Sequence, residues 1–339
     1  MNDFSEKGDS TPGTLIDPSN RILDYLRVSI TDRCNLNCTY CLPLSGQTKQ
    51  DHHHILRYEE ILRLIRIFRD LGISKIRITG GEPLIRKGVL PFIAKLHQIK
   101  GIKDLAMTTN GLLLLNHLDE IRSAGIRRLN ISLDSLNPET YRRITGHDVF
   151  QTVWEGILAA EKMGFHPIKI NVVALRGIND HELTEMAKLS LAHPFHIRFI
   201  EYMPIGDSAL HSENPLFAQE IQEQIESLGK LYPVDREKTD GPARRFRFQQ
   251  AKGEIGFISP ISRHFCNTCN RLRLTADGSL RTCLLSDLQT DLKTPLRSGF
   301  SDRQITGLIR EAIRLKPTSH NLNTGHPAVI SGRMSSIGG

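Results

Sequence analysis

From about Leu26 to Leu228 the chain repeats one rhythm. A short run of Ile, Val, Leu or Thr is followed by polar or Gly-rich residues, then by apolar positions at helical spacing. The runs are Leu26–Thr31, Lys75–Thr79, Leu105–Thr109, Arg128–Leu133, Ile168–Val173 and His196–Glu201. Each reads as a strand buried on both faces, as in a parallel sheet. Between the first two, Ile61, Leu62, Ile65, Phe68 and Leu71 form a 3.6-residue face that Gly72 terminates. Later helices carry Val153, Ile157, Ala160 and Met163 before Gly164, and Phe217, Ile221, Ile225 and Leu228 before Gly229. Strands alternating with helices predict an α/β fold around a parallel sheet.

Polar residues gather just after these strands: "TDR" at 31–33, "TGGE" at 79–82, "TTNG" at 108–111, "SLDS" at 132–135 and "EYM" at 201–203. A barrel brings every strand's C-terminal end to one mouth, whereas an open sheet uses chiefly one crevice. Six strands fall short of the eight that close a barrel, so the prediction is an incomplete (β/α)6 TIM-type barrel. After Tyr232 the rhythm changes. "RRFRFQQAKGEIGFISP" and "LRLTADGSLRTCL" read as hairpins turning at Lys252–Gly253 and Asp277–Gly278, and a helix follows near Asp302–Leu315. The expected organisation is a polar mobile tail over 1–20, the partial barrel over 21–230, and a smaller C-terminal α+β module over 231–339 that closes the barrel's open side.

The 339 residues are 24 % charged and 39 % hydrophobic, a globular balance, with no apolar run long enough to span a membrane and no secretory leader. A cytoplasmic protein is expected. The formal charge of +7 favours an anionic partner. No Lys/Arg block supports nucleic-acid binding. The six cysteines fall in two triplets, Cys34-x3-Cys38-x2-Cys41 and Cys266-x2-Cys269-x13-Cys283. In a reducing compartment these read as metal sites before disulfides. Spacing fits iron–sulfur clusters best, and leaves zinc and reduced structural thiols open. His264 could complete the second set of ligands and His52–His54 the first. A cluster held by three thiolates keeps one iron open for a small molecule.

The first triplet, with Tyr40 before its last cysteine, resembles the signature of radical S-adenosylmethionine (SAM) enzymes, and "TGGEP" at 79–83 resembles that superfamily's second motif. Adding "FCNTCNRLRL" at 265–274, Cys283 and the terminal Gly-Gly, the chain from about Arg21 resembles the branch that cyclises GTP in molybdenum cofactor biosynthesis. Leu42 departs from the Met common in relatives, and the loop carrying His52–His54 matches no motif.

The resemblance implies two [4Fe–4S] clusters, on Cys34, Cys38 and Cys41 and on Cys266, Cys269 and Cys283. SAM would sit on the first, beside Tyr40, Gly81, Ser132 and Met203, with Glu82 supporting the glycine turn. GTP would meet Arg27, Arg77, Thr108, Lys169, Arg271, Leu272 and Arg273, and with a weaker match Arg198. No side-chain acid or base is implied. A deoxyadenosyl radical would take the ribose 3′-hydrogen, and the ribose radical would add to guanine C8. The tail residues Gly338 and Gly339 would enter the site. The implied partners are a flavodoxin- or ferredoxin-type electron donor and cyclic pyranopterin monophosphate synthase, which would take the product; a homodimer is expected. Two other readings stay open at this point: a peptide-modifying radical enzyme, and a zinc-stabilised nucleic-acid-binding protein.

Overall fold

The computed structural model describes residues 13–41, 51–206, 214–235, 241–320, 330 and 334–338. Leu42 and Gly339 lie outside them. Six strands come first: β1 (Tyr25–Ser29), β2 (Lys75–Thr79), β3 (Asp104–Thr109), β4 (Leu129–Ser132), β5 (Ile168–Ala174) and β6 (Phe195–Glu201). Around and after them run helices α1 (Tyr58–Asp70), α2 (Val89–His97), α3 (Leu114–Ser123), α4 (Pro138–Thr145), α5 (Phe150–Lys162), α6 (Leu183–Ala192) and α7 (Ala218–Glu226). The C-terminal region adds β7 (Leu231–Pro233), β8 (Arg244–Phe248), β9 (Glu254–Ile258), β10 (Arg271–Leu274), β11 (Ser279–Arg281) and β12 (Gln289–Asp291). Helices α8 (Lys293–Arg297), α9 (Asp302–Arg314) and α10 (Met334–Ile337) complete it.

The six expected strands lie where the apolar runs put them, within a residue or two, and pair in parallel in chain order. Both C-terminal hairpins form, β8 with β9 and β10 with β11. They do more than cover an opening. β10 joins β1 in parallel and β9 joins β6 in parallel. The described sheet therefore has twelve strands, in the order β12-β11-β10-β1-β2-β3-β4-β5-β6-β9-β8-β7. Its eight central strands are parallel, and its outer strands β12 and β7 do not pair with each other, so it is a partial barrel.

One hydrophobic core runs through barrel and C-terminal region alike. Leu26, Ile76, Ile131 and Ile197 share it with Phe257, Leu272, Leu280 and Ile309, all at 1 % exposure or less. Of residues 13–20, expected as part of a mobile tail, Leu15 and Asp17 are buried. Gly13 N–H donates to Asp70 O at 2.9 Å, Leu23 N–H donates to Leu15 O at 2.8 Å, and Leu15 joins the core. No helix among the described residues is long and apolar enough to cross a membrane.

Candidate active site

The loop after β1 carries the first triplet. Two of its backbone N–H groups, Asn37 and Thr39, donate to the carbonyls of Thr145 and Ile144 at 2.8 and 2.9 Å, using acceptors that the end of α4 leaves open. Cys41 N–H donates back to Cys38 O at 2.9 Å, and Cys269 N–H to Cys266 O at 3.1 Å, so both C-x2-C pairs form the same tight turn. The glycine pair after β2 packs on the first loop. A Cβ on Gly81 would stand 2.1 Å from Arg33 O. Close backbone approach here serves the segment that carries Cys34, and this is what only glycine allows.

Strand register fixes where the second triplet lies. Arg271 pairs with Tyr25 at the start of β1, and Tyr25 N–H donates to Asn270 O. Cys266 and Cys269 thus precede β10 at the N-terminal end of the parallel strands. β11 returns antiparallel, Arg281 opposite Arg273, and delivers Cys283 to that same end. The first triplet follows the C-terminal end. At about 3.3 Å per residue, β1 holds the two ends roughly 15 Å apart. All six cysteines are free, and all line one cavity of about 300 Å3.

Between the two ends lies a row of cations. Arg273, Arg27 and Arg77 are direct neighbours in register across β10, β1 and β2. Like charges opposite one another in a sheet repel. Arg27 and Arg273 are 8 % and 5 % exposed. Burial, then neighbouring guanidinium charge, lowers Arg27 to about 10 and Arg273 well below its ordinary range. Arg271, Lys169, Arg198 and Lys75 line the same cavity. Among the described residues, Thr108 Oγ1 and Arg77 Nε there are buried without a hydrogen-bond partner. Such a site suits a bound polyanion.

The sulfur environment fits clusters. Burial, then repulsion from Cys34 and Asp134, pushes Cys41 up to about 12; burial and Cys41 push Cys38 well above its usual range. Three bare thiolates are unfavourable there, and a cationic iron core would compensate them. Cys34 receives N–H groups from Leu36 and Asn35, and Asn110 Nδ2 approaches its Sγ at 3.6 Å. Asn110 is oriented for this, since its Oδ1 accepts Leu112 N–H at 3.0 Å. At the other end burial opposes ionisation of Cys269, but Arg271 and Lys316 outweigh it and bring the thiol down to about 7. Among the described residues no group of three or more His, Cys, Asp or Glu side chains converges as a single ion requires. A cluster asks for something else, thiolates around a body with separate iron corners.

Tyr40, Gly81, Ser132 and Met203 all line the cavity. Tyr40 O–H donates to Asp134 Oδ2 at 2.6 Å, and Asp134 Oδ1 accepts Val173 N–H at 2.8 Å. Burial raises Asp134 to about 6, against both bonds. Glu82 is fully buried and accepts from Leu84 N, Thr109 Oγ1 and Asn110 N at 3.0, 2.9 and 2.7 Å. It ties the glycine turn to the end of β3. Burial pushes it up to about 7 despite these donors. At the tail, Arg273 donates to Gly338 O, and a Cβ on Gly338 would meet Thr79 Cγ2 at 2.6 Å.

Leu272 differs from its two neighbours. Strand alternation turns its side chain away from its arginine neighbours into the core, at 0 % exposure, and only its backbone remains near the cavity. The His53 and His54 side chains do not line the cavity; their carbonyls are held by Arg297 and Lys293 of α8. His264 does line it, edge-on to His320 at 5.4 Å. Sequence reading passed over Lys75 and Lys316, and had Asn110 and Asp134 only as members of the polar groups after β3 and β4. Lys75 opens an apolar run, the same signal that exposed Arg27. Lys316 carries no pattern that a single sequence reveals.

Residues 28–190 match the Radical SAM superfamily, and residues 195–322 match the Molybdenum Cofactor Synthesis C family. The solved structure of Streptococcus suis SuiB bound to S-adenosylmethionine shares the fold, with a TM-score of 0.61 at 14 % identity, over 86 % of this chain and 69 % of that one. The class defined by fold and site is the radical SAM enzyme. A GTP 3′,8-cyclase of Thermodesulfovibrio yellowstonii is 50 % identical over 91 % of this chain and 96 % of its own length. Those of Heliobacterium modesticaldum and Petrotoga mobilis are 47 % and 46 % identical, covering 91 % and 96 % of this chain and 95 % and 100 % of their own. The chain belongs to the GTP 3′,8-cyclase family, radical SAM enzymes of molybdenum cofactor biosynthesis that act on GTP.

Proposed function

We propose that one cavity holds two [4Fe–4S] clusters, one at each end of the barrel strands, with GTP laid along the arginine row between them. The observation that carries this reading is the register itself. Cysteine triplets flank both ends of β1 and β10, and Arg273, Arg27 and Arg77 abut between them. The bound cofactors would supply a carbon-centred radical for abstraction of the ribose 3′-hydrogen; ribose C3′ then bonds to guanine C8, and one further electron, from the external donor, and one proton complete the cyclic nucleotide.

The protein's part is to bind, orient and exclude. Cys34, Cys38 and Cys41 hold the first cluster, and Tyr40, Gly81, Ser132 and Met203 flank SAM. Arg27, Arg77, Lys169, Arg271 and Arg273, with Arg198, neutralise the triphosphate, and the Thr108 hydroxyl donates to the substrate. Cys266, Cys269 and Cys283 would hold the second cluster, which would supply a binding point for the guanine. Gly338 of the terminal Gly-Gly threads into the site, where a side chain would collide with Thr79. Ribose C3′ and guanine C8 belong to one molecule, so the protein's contribution to ring closure is to hold the nucleotide in a conformation that brings them together.

The same proposal includes cytoplasmic residence, a flavodoxin- or ferredoxin-type donor, delivery of product to cyclic pyranopterin monophosphate synthase, and a C2 homodimer, the commonest assembly. The test is anaerobic reconstitution with iron and sulfide, then addition of GTP, SAM and a reductant. About eight irons per chain are expected for two cubanes. So are GTP-dependent 5′-deoxyadenosine and a nucleotide with a bond between C3′ and C8. Deoxyadenosine formation indifferent to GTP, or a product without that bond, would overturn the reading.

A further inference from the structure

Past α9 the chain turns back under the second cysteine triplet. Lys316 is 5 % exposed there. Its Nζ donates to Arg271 O at 3.2 Å and to Thr282 O. Arg271 lies two residues after Cys269, and Thr282 immediately precedes Cys283. One ammonium therefore bridges the two halves of the triplet that are furthest apart in sequence. The third cysteine is tethered from the same side. Arg21 donates to Cys266 O at 2.8 Å and to the carbonyls of Pro317 and Thr318, next along from Lys316.

Arg21 has its own counter-charge, Asp17, at 2.6 Å. Lys316 has none: both its hydrogen bonds go to carbonyls, and no carboxylate among the described residues is in ion-pair contact with it. Burial disfavours its charge, and the Cys269 and Cys283 sulfurs favour it more than the Asp17 carboxylate beside Arg21 does. A buried ammonium without an anion is strongly unfavourable. An ammonium also has three donors, and two carbonyls use only two of them.

We propose that Lys316 is the positioning residue and counter-charge of the second cluster. Its two carbonyl bonds set the spacing of Cys269 and Cys283, and its charge offsets the negative charge of the thiolate-bound cluster. The inference rests on the reading that Cys266, Cys269 and Cys283 hold such a cluster. Nearby positive charge favours the reduced, more negative state of a cluster, so its loss lowers the reduction potential.

The experiment uses the full chain with Cys34, Cys38 and Cys41 all changed to Ala, so that only the second triplet can take iron. This parent, Lys316→Met and Lys316→Arg are reconstituted anaerobically. Iron and sulfide are counted, loss of iron to a chelator is timed, and the cluster is titrated potentiometrically with EPR detection. A parent with about four irons upholds the cluster reading; a parent without iron overturns that reading and this inference with it. With iron in the parent, Lys316→Met is expected to shift the oxidised-to-reduced ratio about tenfold toward oxidised at fixed ambient potential. That is about 59 mV lower for a one-electron couple. It should also lose iron about tenfold faster, while Lys316→Arg stays near the parent in both. A Met variant with parental potential and retention overturns the inference. If the Met variant takes up no cluster, the Arg variant decides: a parental potential supports the charge role, and failure to hold iron overturns it.

Discussion

Arg77 tests what the arginine row is for. An arginine inside an apolar strand has two explanations, an ion pair at the barrel rim or a ligand in the barrel. Arg77 lies over the Tyr25 ring at 5.6 Å, opposite Arg27 in register, with its Nε unpartnered. An ion pair would lose stability on truncation. A cation held beside like charges would not, because repulsion among its neighbours is relieved. Arg77→Ala is therefore expected to leave the melting temperature of the ligand-free chain unchanged or slightly raised. GTP affinity should fall by about 10- to 100-fold, the worth of one or two charge-assisted hydrogen bonds, with SAM affinity unchanged. Calorimetry with each ligand and a thermal melt check this, and a lower melting temperature with intact GTP binding would restore the rim ion pair. The row itself was half legible in sequence. Arg27 and Arg77 stood out as charges in apolar runs, but only register shows that Arg273 makes a third neighbour. Leu272 shows the converse: a motif match cannot say which way a strand residue points, whereas alternation can.

Among the elements, α1 and α8 meet through a cluster around Glu60 that sequence could not reveal, since its partners are more than two hundred residues apart. Arg297 reaches Glu60 at 2.8 and 3.1 Å and also bonds the carbonyls of His53 and Ile55. Arg57 N–H caps the same carboxylate at 2.7 Å. The Glu60 side chain is only 8 % exposed. Burial alone would raise it, but the bonds from Arg297 and the Arg57 N–H win and hold it at about 2. A carboxylate lowered on folding adds stability above its unfolded value of about 4.3, and that stability is lost as pH falls toward 2. Glu60→Gln is expected to reduce the unfolding free energy of the cluster-free chain at pH 7 by about 2 kcal/mol. It should also flatten the acid limb below about pH 4.3. Urea unfolding at several pH values measures both, and an acid limb as steep as the parent's would rule out this source of acid sensitivity. The His52–His54 stretch, offered in sequence as candidate ligands for the first triplet, takes part in this junction through the His53 and His54 carbonyls.

For the whole molecule, the strand–helix rhythm was readable because buried parallel strands and amphipathic helices differ in period. What could not be read was the destination of the two C-terminal hairpins. A hairpin satisfies one edge of each strand locally, and nothing in its sequence says which distant edge takes the other. Here β10 goes to β1 and β9 to β6, at the two ends of the six-strand run. This has a consequence for folding. A fragment ending at residue 230 would leave the backbone groups of β1 and β6 unpaired, and such edges favour association. It would also lose Phe257, Ile255, Leu272 and Leu274 from a core in which each is 0 % exposed. Residues before and after 230 are thus expected to unfold together, whatever their separate family matches. In the cluster-free chain, fluorescence of the single tryptophan, Trp154 on α5, reports the barrel. Hydrogen exchange of the β10 and β11 amides reports the C-terminal region. Coincident urea midpoints are expected from the two probes, together with aggregation of the 1–230 fragment. A soluble fragment with a native-like tryptophan signal, or a C-terminal region that opens well before the barrel, would mean that the shared sheet does not make the chain one cooperative unit. The two cysteine triplets would then be held in register by their bound clusters and not by the fold.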